Sequence, residues 1–143
     1  MLILAFDTAT PVGSVALVDE ERTIVGRYFD IGLRHSQRLF VEIDQVLAVA
    51  EIDLGEVDGI AVSIGPGSFT GLRIGLSAAK GLCLAADRAL VPVSTLETLA
   101  ARLPYARYPV CAMLDARKGE VYTALYDNTA GYPRLLSQPR AVA

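Results

Sequence analysis

From Leu2 to Phe6 the chain is apolar without a break and ends at Asp7, the pattern of a short buried strand. Thr8 to Gly13 is a polar stretch with Pro11 and Gly13, which reads as a turn. Ser14–Val18 and Thr23–Phe29 then read as two more strands, separated by the charged turn 19–22. Connections this short only join antiparallel neighbours, because a parallel pairing needs a long crossover. After Ser36 the period changes. Leu39, Ile43, Val46, Leu47 and Ala50 recur at helical spacing, with Arg38, Glu42 and Gln45 on another face. Ile60–Ile64 is a fourth strand, apolar enough to be covered on both faces. A second helix runs from the glycine-rich stretch 65–71 to about Ala86. Leu90–Val93 is a fifth strand, and a third helix spans Thr95–Arg102 with Ser94 or Thr95 as its cap.

The order is therefore three strands, then helix, strand, helix, strand, helix. A right-handed crossover lays the fourth strand parallel to the first and the fifth beyond it. The expected α/β fold is a mixed five-stranded sheet in order 3-2-1-4-5 with flanking helices. That arrangement resembles the ribonuclease-H-like half shared by actin, Hsp70 and sugar kinases. Pro104–Pro109 has the look of a linker with spaced Tyr and Arg, so residues 1–104 form the expected first domain. Val110–Leu114 and Val121–Tyr126 read as strands flanking residues 115–120, and residues 105–143 as the beginning of a second, similar domain that continues past Ala143.

Composition narrows the function classes. Hydrophobic residues make up 52% and charged residues 20%, so the chain can offset its ordering entropy. The apolar runs are too short to span a bilayer, and no basic-then-apolar leader opens the sequence, so a cytoplasmic protein without membrane contact is expected. Net charge is −3, with Lys80 and Lys118 the only lysines. Tight binding of a polyanion by this chain alone is not expected. Cys83 and Cys111 are far apart in apolar runs, as buried core residues would be.

Four places carry candidate chemistry. Asp7-Thr8 at the end of the first strand fits two roles: a carboxylate capping its own turn, or one facing nucleotide phosphates through a divalent cation. The following turn has one glycine and no cation, which points to weak or absent nucleotide binding by this half. Gly65 and Gly67 precede a helix whose free N–H groups favour an anion, but the Gly-Lys-Ser/Thr ending of a phosphate loop is missing, so these glycines also fit a plain turn and cap. On the second helix Gly71, Gly75, Ala78 and Ala79 share one face, and Leu72, Leu76 and Cys83 lie opposite. Interior helical glycines cost about 1 kcal/mol each relative to alanine and persist where another backbone comes close. Either the first helix covers this face or a second chain does; Phe40, Val41 and Val49, left over on the first helix, favour the second chain. His35 is the sole histidine, and a metal pair one helical turn apart would need a second His where Leu39 stands. No serine has a histidine at hydrolase spacing. A small-molecule kinase and a metal-dependent peptidase are the competing readings.

Several blocks together resemble the TsaB (YeaZ) family: Asp7-Thr8-Ala9-Thr10 with Ser14–Leu17, His35-Ser36-Gln37-Arg38-Leu39, the run Gly65–Gly75, and Asp115-Ala116-Arg117 with Glu120-Val121-Tyr122. The resemblance implies an actin-like ATPase (ASKHA) fold and a part in making threonylcarbamoyladenosine at position 37 of tRNAs that read codons beginning with A. It implies an accessory subunit rather than the transferase. The partner would be a TsaD-type subunit of the former M22 glycoprotease class, which holds metal, ATP and the activated carbamoyl group. A TsaE-type ATPase would join the complex, and tRNA would be reached only through it. No cofactor is expected on this chain alone; ATP or ADP and metal belong to the partner or the joint surface. Pairing through the first two helices implies contact residues His35, Ser36, Leu39, Phe40, Gly71, Leu72, Gly75, Ala78 and Ala79, and the same surface would serve a homodimer.

Overall fold

The computed structural model describes residues 1–30 and 35–143, with the side chains among them apart from those of residues 35–37. Packing divides the chain into two compact units, the first comprising 1–64 and 68–92, the second 65–67 and 93–143.

In the first unit, β1 (Ile3–Asp7), β2 (Val12–Val18) and β3 (Thr23–Asp30) form the expected meander. Helix α1 (His35–Ala50) leads through a short 3-10 turn (Leu54–Glu56) to β4 (Gly59–Ser63), which lies parallel to β1, with Ile3 opposite Gly59 and Phe6 opposite Val62. Helix α2 (Phe69–Ala86) and β5 (Ala89–Val93) complete a sheet of order β3-β2-β1-β4-β5. Proline 92 is tolerated because β5 is an edge strand, where a missing N–H costs no ladder bond. Alternation along β1 and β2 sends Leu4, Phe6, Val15 and Leu17 to one face, where Leu39, Ile43 and Val46 of α1 and Ala78 and Ala79 of α2 close the core. Ser68 caps the start of α2 by accepting from the Gly71 N–H, and Asp87 ends it in the left-handed conformation, its N–H on the Cys83 carbonyl.

Among these core side chains is one full charge. Glu42 of α1 is 1% exposed, and its two carboxylate oxygens are taken separately, by Arg27 Nε of β3 at 2.6 Å and Arg38 Nε of α1 at 2.9 Å.

In the second unit, α3 (Thr95–Ala101) starts at Ser94, whose hydroxyl accepts from the Glu97 N–H. It packs on a sheet in which β6 (Val110–Arg117) and β7 (Glu120–Asp127) form a hairpin. Strands β8 (Arg134–Leu135) and β9 (Arg140–Val142), not foreseen from their weak alternation, both pair with β7. Leu96 and Ala100 of α3 form a core with Ala112, Ala124 and Tyr126.

Two expectations need correction here. The compact units part at residue 92 rather than 104, because α3 buries its apolar stripe on β6 and β7, a long-range contact that the linker-like composition of 104–109 does not report. Cys111 is exposed, because β6 alternates and sends Ala112 to the α3 side and Cys111 to the other; Cys83 is half-buried, and burial pushes its thiol pKa up. Among the described residues no helix is long and apolar enough to cross a membrane.

The β7–β8 corner yields a pH prediction. Asp127 accepts from the Thr129 N–H and hydroxyl and pairs with Arg134, and these bonds hold its pKa at about 2 against an ordinary 3.8. A carboxylate held low in the folded state stabilises it above the ordinary value and loses that contribution as pH falls through the depressed one. Thermal midpoints of the parent and Asp127→Asn are expected to differ at pH 5 and converge towards pH 2. A constant difference down to pH 2 would remove this role for Asp127.

Candidate functional site

The sequence places its chemistry at the end of β1, and the structure shows what that turn touches. Asp7 Oδ1 accepts from the Ala9 N–H at 2.7 Å and from the Ser63 hydroxyl at 2.5 Å. The carboxylate thus caps its own turn and ties β1 to the end of β4, the first of the two roles open to it. Thr8 is buried, and its hydroxyl donates to the Gly71 carbonyl at 2.7 Å. The Ser68 N–H donates to the Ala9 carbonyl at 2.7 Å. The β1 turn is therefore sewn onto the first turn of α2. Gly65 and Gly67 pack with the second unit, where the Gly65 carbonyl accepts from the Thr95 N–H at 2.8 Å; Gly65, at φ 111°, needs to be glycine.

The same stitching accounts for the glycines of α2. A Cβ on Gly71 would lie 1.9 Å from the Thr8 carbonyl oxygen, and one on Gly75 would lie 2.4 Å from the Thr8 hydroxyl. Gly71, Gly75, Ala78 and Ala79 are all buried within the first unit. The expectation that they form a face for a second chain is therefore corrected: the backbone that comes close is this chain's own β1 turn. Leu39 is likewise a core residue, fully buried. Leu72 is half-buried and Phe40 exposed. The expectations for His35 and Ser36 lie outside the described side chains.

What α1 and α2 leave to solvent is a different set of positions. Phe40, Val41 and Val49 are exposed on α1; Phe69, with the Arg73 guanidinium 5.3 Å from its ring centroid, and Leu84, 87% exposed, are exposed on α2. Gly81 is also exposed, and a Cβ there would meet nothing within 4 Å. Sequence periodicity identified the leftover side chains of α1 but assigned neither Leu84 nor Phe69 of α2 to a face. Among the described residues no three His, Cys, Asp or Glu side chains stand together as metal ligands would.

Sheet order and crossover define the class, a ribonuclease-H-like domain of the actin-like ATPase type. An activator of 2-hydroxyisocaproyl-CoA dehydratase from Clostridium difficile, solved with bound ADPNP, shares this fold at 13% identity and a TM-score of 0.58, over 99% of this chain and 46% of that one. More specific are three other comparisons. Residues 31–132 match the family model described as TsaD: tRNA N6-adenosine threonylcarbamoyltransferase. The tRNA threonylcarbamoyladenosine biosynthesis protein TsaB of Escherichia coli (strain K12) is 42% identical over 129 residues, 88% of this chain and 55% of that protein. YeaZ from Pseudomonas aeruginosa is 38% identical with a TM-score of 0.88, over 99% of this chain and 67% of that one. The chain belongs to the TsaB (YeaZ) family, and it spans about half the length of the curated relatives it matches.

Proposed function

We propose that this chain acts as a non-catalytic partner of a TsaD-type transferase subunit in forming N6-threonylcarbamoyladenosine at position 37 of tRNAs that read codons starting with A. The transferase-type subunit, or its joint surface with this chain, holds ATP or ADP and metal. A TsaE-type ATPase joins the assembly, the chain also pairs with itself, and the work takes place in the cytoplasm. The observation that carries this reading is the 42% identity to a protein named for threonylcarbamoyladenosine biosynthesis. Two structural features support it. Asp7 spends one oxygen on its own turn and on Ser63, an arrangement suited to holding a fold together. The outer positions of α1 and α2 leave large apolar side chains uncovered, Phe40, Val41 and Val49 on one helix and Phe69 and Leu84 on the other, which offers apolar area for a partner to cover.

The surface now assigned to the partner is the outer one, Phe40, Val41, Val49, Phe69 and Leu84. Charges at Gly75 or Ala78 would break the first unit's own packing, so they do not test pairing. Phe40→Asp and Leu84→Asp are the informative variants, since both side chains already face solvent. Each is expected to weaken complex formation with a TsaD-type subunit at least about tenfold in size-exclusion or calorimetric titration, by removing apolar contact and burying a charge. Modification of unmodified tRNA in a reconstituted mixture should fall in parallel. Undiminished pairing by both variants would sink the interface.

A further inference from the structure

One pole of the second unit gathers exposed aromatic and basic side chains that the proposed pairing does not use. Tyr105 is 75% exposed, Tyr108 72% and Tyr132 65%. The β6–β7 register sets Val110 opposite Tyr126, so Tyr108 and the turn after Asp127, which carries Tyr132, emerge at the same end of the sheet. Arg102 ends α3 at this pole, and the Arg107 guanidinium lies 5.6 Å from the centroid of the Tyr108 ring. Neither arginine forms an ion pair among the described residues, whereas Arg134 nearby is taken by Asp127.

These side chains stand on a braced platform. Asn128, fully buried, donates from Nδ2 to the carbonyls of Ala100 at 2.6 Å and Leu103 at 3.0 Å. Its backbone carbonyl accepts from the N–H groups of Tyr105 at 3.0 Å and Gly131 at 2.9 Å. One residue thus ties the end of α3, the Tyr105 loop and the β7–β8 turn together. Tyr105 is held at φ 58°, a costly conformation for a large side chain, and its ring lies over Gly131, where a Cβ would approach it to 2.8 Å. A strained backbone that displays an aromatic ring to solvent, with its support fully buried, has the form of a preorganised binding surface.

The charge of the surroundings selects the occupant. At this pole Arg102, Arg107 and Arg134 stand against Asp127, with Arg117 and Lys118 at the far end of the hairpin, while the chain as a whole carries 13 basic and 16 acidic side chains. An acidic protein with a locally basic, tyrosine-bearing pole suits a polyanion with flat faces. We propose that Tyr108 and Tyr132, with Arg102 and Arg107, form a contact surface for RNA, stacking on unpaired bases while the guanidinium groups meet the adjoining phosphates. The contact is weak by itself, since two arginines neutralise few phosphates, and it adds to whatever else grips the RNA. The choice of RNA over another polyanion rests on the proposed function.

The test uses the chain by itself with a fluorescein-labelled RNA stem-loop bearing an unpaired loop, and a fully paired two-strand RNA duplex as control. By fluorescence anisotropy the stem-loop is expected to bind with a dissociation constant on the order of 10–100 μM at about 50 mM salt. Tyr108→Ala and Tyr132→Ala should each weaken it about tenfold, with circular dichroism unchanged. Arg107→Gln should reduce the slope of log affinity against log salt by about 0.7. Absence of binding, equal affinity for the paired duplex, or tyrosine variants that bind as the parent does would overturn the assignment. So would variants that keep RNA affinity but lose a TsaD-type subunit, an outcome that makes this pole a protein interface. RNA binding by the isolated chain is read without the transferase, so its failure is distinct from failure of Phe40→Asp and Leu84→Asp to impair pairing.

Discussion

Gly71→Ala is expected to destabilise the first unit by about 3 kcal/mol, the upper part of the range for overpacking a close contact. The added methyl would sit 1.9 Å from a backbone carbonyl, and a carbonyl cannot rotate away as the end of a flexible side chain can. Either α2 or the β1 turn must move, and moving them breaks the Thr8–Gly71 and Ser68–Ala9 hydrogen bonds together. Gly75→Ala meets the Thr8 hydroxyl instead, which can turn at the expense of its own bond, so a smaller loss of about 1–2 kcal/mol follows. Gly81→Ala is the control on the same helix. Nothing lies within 4 Å of the new methyl, and the gain in helix propensity is about 1 kcal/mol. Urea midpoints at constant slope rank the three variants. Gly71→Ala as stable as Gly81→Ala would mean that the turn and the helix do not meet as described. The glycines and the partner surface are then separable in one experiment: Gly81→Ala should raise stability, and a loss of pairing in the same variant would place Gly81 at the contact.

The second large effect concerns the buried carboxylate. Replacing Arg27 and Arg38 together by methionine is expected to cost about 3 kcal/mol, because it leaves the Glu42 carboxyl buried with neither of its two partners. The lower end of the usual range applies, since both guanidinium groups are partly exposed and water already screens them. Either single replacement should cost about 1.5 kcal/mol, because one oxygen keeps its charged hydrogen bond. Glu42→Met behaves differently. It puts an apolar side chain of similar length where the surroundings are already apolar and releases two arginines to solvent, so stability should stay within about 1 kcal/mol of the parent. The methionine replacements keep the apolar stems of the arginines, which isolates the charge from the packing. Chemical denaturation of the four proteins gives the answer directly. If Glu42→Met were as damaging as the double arginine replacement, the carboxylate would be contributing net stability rather than needing its partners. The clamp matters beyond stability, since it fixes α1 against the edge strand β3 and so sets where Phe40, Val41 and Val49 project.

Much of this architecture was legible along the chain. The strand order followed from two facts, short connections in the meander and a helix before each later strand, and both are local. The start of α3 was readable because Ser94 caps it through its own side chain, whereas the Ser68 cap of α2 was hidden in the glycine-rich stretch before it. The extra strands β8 and β9 were not readable, because two or three residues with exposed side chains carry no alternation; only their pairing with β7 makes them strands. The dual character of Asp7 also stayed open in the sequence, and the Ser63 hydroxyl, 56 residues away, is what favours the structural role. Exposure of Cys111 and the packing of α3 with the second sheet depend in the same way on which face of an alternating strand a distant helix covers.

Spacing of small residues along α2 pointed to a close approach by some other segment, since interior glycines weaken a helix and Gly71 and Gly75 recur on one face. Whose backbone it is depended on a contact between Thr8 and Gly71, 63 residues apart, and that contact assigns the stripe to this molecule's own turn. A periodic pattern records how much room a side chain has; it carries no label for the neighbour that takes up the room, and that neighbour exists only once the chain has closed on itself.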